Sequence, residues 1–125
     1  MGYRSDISVA FYTLRPEETP FASIKFWFDE NYPKKDAVED WGATIETGDD
    51  FILVTYQDAK WYVDFEHVKA VRASLDSFVE CFDATNVDRA AFELVEVGEE
   101  TNDITETRSD WSDYRLSVTR LIEFS

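Results

Sequence analysis

The sequence predicts an α+β fold: a two-layer sandwich in which an antiparallel sheet carries two helices on one face, the ferredoxin-like βαββαβ arrangement plus one extra strand. Three observations predict it. Period-two apolar alternation marks strands near both ends, two apolar stripes of period 3.6 mark helices, and the elements follow one another as β-α-β-β-α-β-β. The 125 residues suit a single domain, 1–125, and 44% hydrophobic with 16% aromatic residues is enough to fill a core.

Residues 5–13, SDISVAFYT, put Ile7, Val9 and Phe11 on one side and predict a half-buried strand. Thr19-Pro20 supplies an N-cap and a proline at the first helical position, opening a helix to about residue 31. Phe21, Ile24 and Phe28 form its stripe, Trp27 lies alongside, and Pro33 stops it. KKDAVEDWG predicts a short further helical turn ended by Gly42.

Residues 43–47 and 51–57 predict two strands joined at Gly48-Asp49-Asp50, and the second, apolar on both faces, belongs in the sheet interior. Asp64 is placed to cap a helix from 65 to about 82, whose stripe of Val68, Val71, Leu75, Phe78 and Phe82 is the clearest periodic signal in the chain. AFELVEV, 91–97, predicts a strand with a phase slip at Val95-Glu96 suggestive of a bulge. A last strand over 113–124 follows from the alternation of Tyr114, Leu116, Val118, Ile122 and Phe124, with Arg120 out of character.

Several chemistries lack their residues. The chain has one histidine, His67, and one cysteine, Cys81, so a His-based triad or metal site has no partners. Cys81, beside Phe78 and Phe82, is expected as a small core hydrophobe, and a lone cysteine suits a reducing cytoplasm. No glycine-rich phosphate loop exists among four glycines, and no cofactor is expected. Gly48-Asp49-Asp50 is read as a hairpin turn rather than a Mg²⁺ site, and Trp61 and Tyr62 as packing residues beneath a helix start rather than binding anchors. No apolar run approaches the ~20 residues that span a bilayer, and the N-terminus shows no secretory signal pattern.

Charge is the outstanding feature. With 27 acids against 12 bases, the net charge of −15 argues against direct binding to nucleic acid or an anionic membrane and favours a basic partner. A compact chain of this length is ~35 Å across, and duplex DNA of that length carries ~20 phosphates. Fifteen net charges gathered on one face would approach that density, so composition permits DNA mimicry. The charge is uneven: between Asp83 and Asp113 ten acids meet only Arg89 and Arg108. The stretch 98–113 separates two expected strands, is too long to be an ordinary connection, and is poor in helix formers. It is expected to be an acidic partner-binding loop. Its candidate residues are Glu99, Glu100, Asp103, Glu106, Asp110 and Asp113, with Trp111, and secondarily Tyr114, as apolar anchors.

Met1-Gly2-Tyr3-Arg4-Ser5-Asp6, the helix end Trp27-Phe28-Asp29-Glu30-Asn31-Tyr32-Pro33, the segment Asp58 to Tyr62, and Val97-Gly98-Glu99-Glu100 with Asp103-Ile104 resemble small acidic proteins of bacteriophages and prophages. The resemblance implies a phage or prophage origin and the bacterial host cytoplasm as the place of action, and it assigns no site residues. Small acidic phage proteins are often inhibitors of host nucleic-acid machinery, including restriction and CRISPR effectors. The expected function is therefore a non-enzymatic inhibitor of a basic, nucleic-acid-binding host protein, of anti-defence or anti-CRISPR type. The alternatives are a small-ligand or metal-binding module, enzymatic or not, that uses carboxylates and aromatics, and a phage structural or assembly protein.

Overall fold

The computed structural model describes residues 5–34, 42–59, 61–62, 65–98, 104–118 and 122–124. At its centre is β1 (Ser5–Thr13), which pairs antiparallel with β3 (Phe51–Ala59) on one side and β4 (Ala90–Val97) on the other. The hairpin partner of β3 is β2 (Ala43–Thr47), and that of β4 is β5 (Ile104–Arg108), giving the sheet order β2-β3-β1-β4-β5. Strands β1 to β4, with helices α1 (Phe21–Asn31) and α2 (Glu66–Phe82), reproduce the topology expected from the sequence. The interior place of β3 follows from its two apolar faces.

Both helices lie on the sheet face that carries Ile7, Val9, Phe11, Ile52, Val54 and Leu94. Phe11, fully buried, has Trp27, Phe28, Tyr32 and Phe78 around it at ring centroid distances of 4.9, 6.0, 5.7 and 5.3 Å. Each such pair adds roughly 0.5–1.5 kcal/mol to simple area burial. The apolar stripe of α2 is buried through Val68, Val71, Leu75 and Phe78. That helix ends at Asp83, whose φ of 51° is the left-handed cap conformation that Asp tolerates better than most residues.

The sequence misplaced several details. Pro20, not Thr19, occupies the cap of α1 and makes no side-chain cap bond, while the buried Thr19 spends its carbonyl on the Thr13 hydroxyl at 2.5 Å. The cap of α2 is Phe65, and both Asp64 and most of KKDAVEDWG lie outside the described residues. The slip at Val95-Glu96 is no bulge. β4 stays in register with β1 from Thr13↔Ala90 to Asp6↔Val97, and the irregularity lies instead between Ser5 and Ile7 against β3. Glu96 interrupts the apolar pattern because Arg72 Nη2 reaches it at 2.8 Å and Trp61 Nε1 at 2.5 Å.

The larger correction concerns the last quarter. The strand that extends the sheet is β5, inside the stretch read as a loop, and the strand expected over 113–124 is a hairpin of β6 (Leu116–Val118) and β7 (Ile122–Phe124). Leu116 pairs with Phe124 and Val118 with Ile122, so their shared parity matches that of one long strand. No Gly, Pro, Asn or Asp marks a turn between them. The hairpin covers the second face of the sheet, where Leu116 is buried with Ala10, Tyr12, Ala91 and Val95. Arg120 lies outside the described residues.

Candidate functional site

Antiparallel pairing places the ends of β1 and β5 beside the starts of β3 and β4. The connections 14–20, 48–50, 83–89 and 109–115 therefore gather at one pole of the molecule. Backbone bonds stitch them together: Thr13 N–H to Asp50 O at 3.0 Å, Leu14 N–H to Arg89 O at 2.7 Å, and Ser109 N–H to Phe92 O at 3.1 Å. These segments hold eight acids, Glu17, Glu18, Asp49, Asp50, Asp83, Asp88, Asp110 and Asp113, against three arginines. Every arginine is matched by one acid: Arg15 with Asp88 at 2.7 Å, Arg89 with Glu18 at 3.6 Å and Arg115 with Asp50 at 3.2 Å. Among the described residues, Glu17, Asp49, Asp110 and Asp113 have no ion pair. The guanidinium of Arg15 holds the Asp88 carboxyl below the usual carboxylate range.

The 109–116 segment owes its position to a buried polar knot. Glu93, fully buried in β4 on the hairpin side, accepts from the Tyr12 hydroxyl, Arg108 Nε (3.1 Å), Arg115 N–H (2.8 Å) and Leu116 N–H (2.9 Å). A buried carboxylate is tolerable only when paired and fully bonded in this way. The Tyr12 hydroxyl in turn accepts the Asp113 N–H at 2.7 Å, and burial followed by the neighbouring Glu93 pushes its pKa well above the ordinary value. Burial pulls Arg108 down, but its bonds to Glu106 and Glu93 outweigh that and leave the guanidinium above its ordinary value. Between the anchored Asp113 and Arg115, Tyr114 is held at φ 55° with its ring over Arg108 at 4.6 Å and most of its surface exposed. A tyrosine in the left-handed region is strained, and the bonds on either side impose it.

The sequence-selected residues divide accordingly. Asp110, Trp111 and Asp113 reach the pole, where Trp111 is 48% exposed. Trp111 and Asp113 line a cleft of about 450 Å³ with Leu14, Arg15, Glu17 and Asp88. Glu106 sits on β5, exposed, and pairs with Arg108 at 2.7 Å. Glu99, Glu100 and Asp103 lie outside the described residues.

The sequence-selected site leaves out four acids of the pole: Asp49 and Asp50 read as a hairpin turn, Asp88 as one of the ten acids from Asp83 to Asp113, and Glu17 carries no local signal. Glu93 and Glu96, two of the ten acids from Asp83 to Asp113, are turned inward onto Arg108 and Arg72. A lone acid between Phe92 and Leu94 in an apolar strand was the available clue that Glu93 is internal.

The remaining candidates resolve simply. Trp61 is buried against Tyr56, at 5.0 Å between rings, as the packing reading expected. Gly48-Asp49-Asp50 is the β2–β3 turn, closed by Gly48 N–H to Phe51 O at 2.9 Å. His67 is half-buried with its ring 5.7 Å from Trp61. Cys81 is exposed, not a core hydrophobe, because it sits one residue (~100°) away from the stripe position of Phe82. Among the described residues no three of His, Cys, Asp and Glu are arranged to hold a metal ion, and no helix is long and apolar enough to cross a membrane. No protein-family model, curated protein or solved structure matches this chain.

Proposed function

We propose that this protein is a non-enzymatic acidic binder of phage type that acts in the bacterial host cytoplasm. It inhibits a basic, nucleic-acid-binding host protein, such as a restriction or CRISPR effector, by offering carboxylates where that protein receives phosphates. The observation that carries the reading is the pole itself: Glu17, Asp49, Asp110 and Asp113, without ion pairs among the described residues, beside the exposed rings of Trp111 and Tyr114. Aromatic anchors beside carboxylates that outnumber the neighbouring arginines suit an oriented complex with a cationic surface. The polar knot under 113–116 supports it too, since a loop held before binding loses less entropy on binding.

The test is affinity capture from a bacterial host lysate with the intact chain, followed by binding measurements on the retained protein. Affinity should fall as salt rises. The triple variant Glu17→Gln, Asp110→Asn, Asp113→Asn should weaken it by about tenfold or more while melting as the parent does. Salt-independent retention, or unchanged affinity in the variant, removes the pole from the proposal. The cleft beside Trp111 favours a second reading, a small-ligand module, which requires a ligand-dependent rise in melting temperature with the purified chain alone.

A further inference from the structure

The helical layer carries a second depression. Ala22, Phe26 and Trp27 of α1 and Cys81 and Phe82 of α2 line an apolar groove of about 440 Å³, and Phe26 is 69% exposed at its edge. Such a volume falls within the range of about 300–1,000 Å³ typical of binding clefts. The floor is already built: Trp27 Nε1 donates to Ser77 Oγ at 3.1 Å and Asn31 Nδ2 to the Trp27 carbonyl at 3.0 Å, so the indole is fixed without a ligand.

The rim decides what fits. Glu30 lies one turn beyond Phe26 on the same side of α1, and Glu80 directly precedes Cys81 on α2. Both are exposed and have no ion pair among the described residues, whereas Lys25 of α1 is committed to Asp29 at 3.6 Å. Glu30 beside the slot on α1, and Glu80 on the outer surface of α2 near it, disfavour an anionic occupant. A net charge of −15 on each chain also disfavours a second copy as the occupant. The groove borders the acidic pole, because α1 starts where the 14–20 connection ends and α2 stops where the 83–89 connection begins.

We propose that this groove docks a basic amphipathic segment of the partner protein, with an apolar side chain seated beside Phe26 and lysine or arginine on Glu30 and Glu80. The proposal rests on the reading of the protein as a binder of a basic partner, but not on the 110–113 loop. The mode is that of a helix laid into a groove, with i, i+3 and i+4 anchors.

The probe is a synthetic amphipathic helical peptide with leucine along one face and lysine along the other, titrated into the ¹⁵N-labelled full chain. Saturable amide shifts should centre on Ala22, Phe26, Cys81 and Phe82. Phe26→Ala, at an exposed position, should leave the melting temperature unchanged and weaken binding about tenfold. Glu30→Gln with Glu80→Gln should weaken it and flatten its salt dependence, and a peptide with alanine in place of leucine should leave the groove amides unmoved. Shifts confined to Trp111 and Asp113 overturn the groove while leaving the pole reading standing. No shift with the lysine peptide anywhere overturns both, and self-association through Phe26 without peptide overturns the proposal by assigning the groove to a second copy.

Discussion

Glu93 and Leu116, twenty-three residues apart, are joined by a 2.9 Å bond from the Leu116 amide to the Glu93 carboxylate, and this contact fastens the C-terminal hairpin to the second face of the sheet. With the Arg115 amide and Tyr12 on the other carboxylate oxygen, it fixes the backbone that leads out to Trp111.

Replacement of Glu93 by alanine should therefore act on two levels. It removes the buried one of Arg108's two carboxylate partners, leaving that 11% exposed side chain with Glu106 and the Leu116 carbonyl, and it frees two backbone amides in a dry site. Breaking a buried pair from one side costs about 3–5 kcal/mol, readable as a lowered urea midpoint. Amide exchange at Asp113, Arg115 and Leu116 should accelerate more than exchange in β1 or β3. A loss under ~1 kcal/mol would show that the knot contributes little.

Phe11→Ala should cost a comparable amount, about 3–5 kcal/mol, because the ring is fully buried and four other rings close around it. Near-parent stability in denaturant titration would contradict that packing.

Trp111→Ala is expected to separate binding from folding. The indole is half exposed, so stability should move by no more than ~0.5 kcal/mol. Loss of a central aromatic anchor costs binding about 2 kcal/mol or more, roughly thirtyfold in affinity. Calorimetry of the variant with the captured partner checks both halves.

Alkaline pH should unfold the protein early. Burial lifts Tyr56 from 10.0 to about 12, and Tyr32, whose hydroxyl lies 2.9 Å from that of Tyr56, is lifted by burial and then by Tyr56. Because the folded values exceed the unfolded ones, the neutral phenols stabilise the fold fully below pH 10.0, and that contribution fades as pH rises through about 12. The urea midpoint should fall across that window. Phenolate absorbance should show Tyr12, Tyr32 and Tyr56 ionising only as the chain unfolds. Titration of all six tyrosines near pH 10 in the folded protein would refute their burial.

The core-forming elements were legible because their signal is local. The stripe of α2 and the alternation of Ile7, Val9 and Phe11 are repeats of 3.6 and 2 residues, and burial of the repeating face is what stabilises each element. β5 was missed because Ile-Thr-Glu-Thr-Arg, on an outer edge of the sheet, needs little apolar character. The hairpin of β6 and β7 reads as one strand in the sequence because cross-strand partners share parity with strand neighbours.

The sequence by itself determined the α+β class, the two helices, the topology of the first four strands and the acidity of the whole, since each depends on residue type and short-range spacing. Only the tertiary structure decided which acids are available to a partner. It took Glu93 and Glu96 inward against Arg108 and Arg72, because a carboxylate on a covered sheet face must find a cation or donors. It also brought Glu17 and Asp49 to Asp110 and Asp113, because antiparallel pairing returns distant turns to the same end of a sheet. Charge is written residue by residue, whereas a charged surface is made by strand order, which no short window contains.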